Sequence, residues 1–249
     1  MARTALITGA AVRIGRAIAE SLARAGWNVV VHAHRSCAQA DDLCRGLRAL
    51  GRQAWRVAGD LSTPEGADAV FEAAAAAAPI DALVNNASVF ERVPLPGAAP
   101  DAFDRQWRIN ALAPIRLTQR LHAHVLSRGV RGCAVNLLDQ RIARPGAGAT
   151  PYLVSKKALE AFTLSAALEL APDLRVNAVA PGAVLLPEGS GAHEPAGAFP
   201  LGFRPAPEDV AAAVAFLLSA PAVTGQILFV DSGQHLAGQQ AATTPEHQS

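Results

Sequence analysis

Residues 4–26 read TALITGAAVRIGRAIAESLARAG, and this stretch decides the architecture. A short apolar, β-branched run enters Gly9; beyond the turn Ile14, Ala17, Ile18 and Leu22 recur at helical spacing, and Gly26 stands where a helix would end. A strand, a tight turn and an amphipathic helix are predicted. The alternation continues along the chain: NVVVHA, AWRVAG, DALVNNA, CAVNLL, RVNAVA and QILFVD read as six more strands with helical patterns between them. Most are continuous apolar runs, as expected where helices cover both sheet faces. The expected fold class is α/β, a doubly wound parallel sheet of about seven strands flanked by helices.

A chain of 249 residues can form one such domain with a substantial core. Its net charge of +1 gives no general electrostatic grip on nucleic acid or on an acidic membrane, so neither is an expected partner. The start lacks an apolar run of signal-peptide length, and no later run approaches the ~20 residues that span a bilayer. A cytoplasmic protein is expected. Cys37, Cys44 and Cys133 form no Cys-x-x-Cys pair and are read as reduced thiols. Neither His32 with His34 nor His122 with His124 comes with a third ligand at metal spacing, so no metal is predicted. The alanine run in FEAAAAAAP falls where a helix is required and reads as a surface helix. Without a linker or repeat, one domain is expected over 1–238, with a frayed polar tail over 239–249. Residues 183–205, rich in Gly and Pro, lie beyond a strand end, where a substrate lid could sit.

The turn TGAAVRIG leads into a helix whose first amides and positive dipole end face outward, a place for a pyrophosphate. Gly9 allows the turn and Gly15 close packing, while Arg13 stands where a dinucleotide loop often has another glycine. Alone, the pattern fits a structural turn as well. The second strand ends HAHRS, where an NAD site usually carries an acid; Arg35 and Ser36 instead offer a guanidinium fork and a hydroxyl, which suit a 2′-phosphate and hence NADP. Asp60 ends the third strand and NNASVF (85–90) follows the fourth, both at the edge where open α/β sheets bind ligands.

Together TGAAVRIG, Asp60, NNAS, Asn110, Tyr152-x-x-x-Lys156 and Pro181-Gly182 occur in the order and spacing of the short-chain dehydrogenase/reductase family, which the chain resembles to about Gly233. The resemblance implies a Rossmann-like fold, a nicotinamide cofactor (here NADPH/NADP) and a homotetramer. It places the cofactor against Gly9, Arg13, Ile14, Gly15, His34, Arg35, Ser36, Asp60, Leu61, Asn86, Ala87, Ser88, Tyr152, Lys156, Pro181 and Gly182. Three departures (Arg13 for the middle glycine, Ser88 for the glycine of NNAG, Asp139 for the usual serine) resemble the pteridine reductase branch and are similar to dihydromonapterin reductases. That branch implies a pterin pocket of Arg13, Ser88, Phe90, Asp139 and Tyr152, in which Phe90 stacks on the flat ring; Phe90 as plain core is the other reading.

Tyr152 and Lys156 share one helix face, and a lysine ammonium there would favour the phenolate, making Tyr152 a usable acid. The resemblance adds a hold on the nicotinamide ribose by Lys156 and a water-linked proton relay through Asn110. Asn110 could instead merely interrupt a helix. Asp139 discriminates: an ionised carboxylate accepts hydrogen bonds but cannot donate one to a ketone's developing oxyanion. It suits a C=N bond, whose nitrogen must gain a proton, and if ionised it should oppose the effect of Lys156 on Tyr152. Catalysis is thus expected from Asp139, Tyr152, Lys156 and Asn110. The leading expectation is NADPH-dependent reduction of a dihydropterin to its tetrahydro form, with folates as further substrates. A ketone or 3-oxoacyl reductase of the same family is the alternative. A non-catalytic NADP(H) sensor is a third, opposed by the intact Tyr152, Lys156 and Asn110.

Overall fold

The computed structural model describes residues 2–185 and 198–237. The chain runs β1 (Thr4–Ile7), α1 (Arg13–Arg24), β2 (Asn28–Ala33), α2 (Cys37–Ala49), β3 (Ala54–Ala58), α3 (Pro64–Ala77) and β4 (Ala82–Asn85). It continues through α4 (Pro100–Trp107), α5 (Ala113–Ser127), β5 (Gly132–Leu137), α6 (Thr150–Glu169), β6 (Leu174–Pro181), α7 (Pro207–Ser219) and β7 (Ile227–Val230). All seven expected strands form. They pair in parallel in the order β3-β2-β1-β4-β5-β6-β7, so the winding reverses between β1 and β4 and opens a crevice at their carboxyl ends.

Period-two alternation divides the core into two layers. Ala5, Ile7, Val29, Val31 and Val84 pack with α1, α2 and α7, whereas Leu6, Val30 and Leu83 face α3, α5 and α6. Each large aliphatic side chain fully withdrawn from water in these layers contributes about 1.5–3 kcal/mol. The helix read from Ile14, Ala17, Ile18 and Leu22 ends as expected: Gly26 takes φ +92°, and the amide of Trp27 bonds the Leu22 carbonyl. The alanine run lies in α3, which is solvated on one face and buries Val70, Phe71 and Ala74 on the other.

Most of the expected lid (186–197) and the expected tail (239–249) lie outside the described residues. Among the described residues, no helix is long and apolar enough to cross a membrane.

Candidate active site

The β1–α1 turn is held from three directions. Gly9 takes φ +61°, its amide donates to His32 Nδ1 at 3.2 Å, and the Ala10 amide donates to the His32 carbonyl at 2.9 Å. The Asn86 amide group donates to the carbonyls of Thr8 (2.9 Å) and Gly9 (3.1 Å), and the Thr8 hydroxyl receives the backbone N–H groups of Asn86 and Ala87. His32 Nε2 lies 3.2 Å from the Gly59 carbonyl, and burial pulls the ring down to about 4, so it is neutral. His32, considered above only as a metal ligand, is a bracket that ties the loop to β3. Only the sheet register brings Thr8 and His32 to this loop, so no sequence motif marks them as its supports.

Arg13, the first residue of α1, takes φ +54°. A left-handed conformation costs a branched or long side chain roughly 1–2 kcal/mol, so this is a glycine position that carries a guanidinium at a conformational cost. Neither a side-chain cap nor an acidic residue occupies the first turn of α1, which leaves its amides for an anion. Gly15 has no room for a side chain: a Cβ would lie 2.3 Å from the Gly9 carbonyl oxygen and 2.6 Å from Asn86 Nδ2.

A groove follows the carboxyl ends of the strands in three adjoining parts. Gly9, His34, Arg35, Ser36 and Asp60 border a cavity of about 800 Å³. Ser36 is the N-cap of α2 yet makes no side-chain cap bond, so its hydroxyl remains available beside Arg35. Asp60 is held below the usual carboxylate range, chiefly by the Ser62 amide and hydroxyl. The middle part is bordered by Arg13, Ile14, Gly15, Leu61, Asn86, Ala87 and Ser88. The third, about 830 Å³, brings together Ser88, Phe90, Asp139, Tyr152, Lys156, Pro181 and Gly182. Every expected site residue except Asn110 borders this groove. A tight glycine turn, an uncapped helix start, and a guanidinium and free hydroxyl at the second strand end fit NADP.

Asp139 follows β5 and caps the short turn Gln140–Ile142, its Oδ1 accepting the Arg141 amide at 2.8 Å. Its Oδ2 accepts the Tyr152 hydroxyl at 3.0 Å. Lys156, only 2% exposed, donates to the Leu137 carbonyl at 2.7 Å, and its ammonium stands 5.7 Å from the Tyr152 ring centroid. Burial pulls Lys156 down to about 8. Tyr152 is pushed well above the ordinary phenol range, first by burial and then by Asp139, against smaller opposing effects of Arg141 and Ser88. Lys156 alone was expected to favour the phenolate; here burial and the facing carboxylate prevail, and the opposition expected of Asp139 is present.

Phe90 is 46% exposed, borders the third cavity and meets Tyr152 edge to face at 4.8 Å, which excludes the plain-core reading. Asn110 is wholly buried. Its Oδ1 accepts the Ser88 hydroxyl and the Val89 amide, while its Nδ2 donates to the Val89 carbonyl and to Ser155. The side chain clamps the loop after β4 to α6. A π-helical turn spans Arg108–Leu112, and Pro114 just beyond it has no N–H to donate.

Residues 9–235 match the family model described as Enoyl-(Acyl carrier protein) reductase. Pteridine reductase 1 of Leishmania tarentolae is 35% identical over 94% of this chain and 97% of that protein. FolM Alternative dihydrofolate reductase 1 from Brucella suis, solved in complex with NADP, superposes with a TM-score of 0.81 at 31% identity, covering 94% of this chain and 95% of that one. Acetoin dehydrogenase from Enterobacter cloacae superposes with a TM-score of 0.90 at 32% identity, covering 98% and 99%. With the Tyr152 and Lys156 pair and the dinucleotide groove in place, the chain belongs to the short-chain dehydrogenase/reductase family and is an NADP(H)-dependent oxidoreductase.

Proposed function

We propose that the protein reduces a pterin C=N bond, converting a dihydropterin to its tetrahydro form, with pterin-bearing folates in the same substrate class. The carrying observation is Asp139 at 3.0 Å from the Tyr152 hydroxyl, where a ketone reductase needs a donor to the substrate oxygen. Asp139 meets the Arg141 amide through one carboxyl oxygen and the Tyr152 phenol through the other. When bound, NADPH supplies the hydride. Tyr152 then holds the proton for the ring nitrogen, Asp139 orients the heterocycle by accepting from one of its N–H groups, and the buried Lys156 ammonium offsets the phenolate left behind. The exposed Phe90 face offers a flat heterocycle a stacking surface. Asn110 acts as a positioning residue, fixing Ser88 and Val89.

The leading alternative is reduction of a ketone or 3-oxoacyl thioester, favoured by the closer superposition on acetoin dehydrogenase. NADPH oxidation with purified protein separates the two: dihydrobiopterin, dihydromonapterin and dihydrofolate are expected to be turned over, and a 3-oxoacyl thioester poorly. Preference for the thioester would sink the pterin reading, and NADPH binding without turnover of any of them would favour a sensor. Assembly as a homotetramer, by analogy with the family, would cover Leu164 and Leu168 of α6, which are exposed here. Light scattering at a monomer mass would refute it.

A further inference from the structure

A carboxylate beside a phenol that must become a phenolate is an electrostatic liability: it repels the charge that the proton transfer creates. Something has to offset it alongside Lys156, whose ammonium also bonds the Leu137 carbonyl. The other cation in contact with the centre is Arg141. Its side-chain Nη1 lies 3.9 Å from Asp139 Oδ2, the carboxylate oxygen that receives Tyr152, and its Cζ stands 5.1 Å from the Phe90 ring centroid. Its backbone is rigidly placed, because the turn Gln140–Ile142 is capped by Asp139 and anchored by buried Ile142 against Leu138 and Leu159. Arg13, Arg92, Lys156 and Arg204 are the other cations bordering this cavity, and Asp139 is its acid. Arg204 is engaged elsewhere, bonding the Ala183 carbonyl and lying over Phe199.

Building on the assignment of Tyr152 as proton donor, we propose that Arg141 is a positioning residue for proton delivery. Stacked against Phe90, its guanidinium holds Asp139 Oδ2 toward Tyr152 and offsets the carboxylate's charge there, which is what allows an acid to stand in a position usually given to serine. The direction of the Arg141 effect on Tyr152, downward against burial and Asp139, agrees.

Arg141→Gln removes the guanidinium and keeps the amide that caps the turn, so the fold should survive. Tyr152 is the single tyrosine of the chain, and tyrosinate absorbance therefore reports this one group without any substrate. An Asp139→Asn background removes the carboxylate's upward push and leaves that of burial. Arg141→Gln is expected to move the tyrosinate midpoint upward with Asp139 present and less in the Asp139→Asn background; an unmoved midpoint, or an equal movement in both, overturns the proposal. With dihydropterin, Arg141→Gln should lower kcat about tenfold with KM little changed, Arg141→Lys should recover part of the loss, and the loss should shrink in the Asp139→Asn background. Equal losses in both backgrounds, or no recovery with lysine, would mean that the side chain is merely structural. If no pterin is turned over, the pterin reading fails, while the tyrosinate titration still decides the case of Arg141.

Discussion

Replacing Gly15 by alanine would place a Cβ 2.3 Å from the Gly9 carbonyl oxygen, 2.6 Å from Asn86 Nδ2 and 2.9 Å from the Ala10 Cα. Two of these neighbours are backbone and cannot rotate away. Gly9 is further fixed by φ +61°, by His32 at its amide and by Asn86 at its carbonyl, so relief requires the whole turn to shift and at least one of these bonds to break. Overpacking of this kind costs about 1–3 kcal/mol and each lost hydrogen bond about 1 kcal/mol, giving a total of roughly 2–4 kcal/mol. For a chain of this length that corresponds to a Tm lower by roughly 5–15 °C. The same shift moves the α1 amides off the pyrophosphate position, and the Kd for NADPH should rise at least about tenfold. Differential scanning fluorimetry and a titration of NADPH fluorescence measure the two effects. A Tm within about 2 °C of the parent, together with an unchanged Kd, would refute the reasoning that this turn is both close-packed and the cofactor's phosphate site.

Arg35→Ala should raise the KM for NADPH by about 10- to 100-fold, as the loss of a charge-assisted bond to phosphate implies, and leave the KM for NADH nearly unchanged; equal effects on both would remove the 2′-phosphate from this position. Lys156, held at about 8 by burial against an ordinary value of 10.5, binds fewer protons in the folded than in the unfolded chain between those limits. Its contribution should therefore make stability rise with pH from about 8 toward the ordinary lysine range, and Lys156→Met should flatten that rise. Chemical denaturation at stepped pH would show it, and an identical slope in the variant would contradict the burial of the ammonium.

Seven strands were legible because most are continuous apolar runs and all lie between helical patterns, and the positions of Gly9, Arg35, Asp60 and Tyr152 at strand ends or helix starts follow from that order alone. What the residues could not convey is what each side chain touches. Asn110 matches a family position, yet its amide spends both ends on Ser88, Val89 and Ser155, a set of partners separated from it by up to 45 residues. The direction of the Tyr152 shift was likewise hidden, because it depends on burial and on a carboxylate thirteen residues away outweighing a lysine on the same helix. Arg141 carried no motif and became visible only through its place between Asp139 and Phe90. The left-handed Arg13 shows the converse: its oddity was plain in the sequence, and its backbone gives the oddity a physical cost.

The central claim is that Asp139 selects a C=N bond over a C=O bond, and Asp139→Ser tests it most directly. The measurement is the ratio of kcat/KM for a dihydropterin to that for a 3-oxoacyl thioester, with the Kd for NADPH followed alongside. Restoring a hydroxyl donor should lower the pterin term, raise or preserve the carbonyl term, and so reduce the ratio by about 10- to 100-fold while NADPH binding stays within about threefold. A ratio that does not change would contradict the account and take Asp139 out of substrate selection.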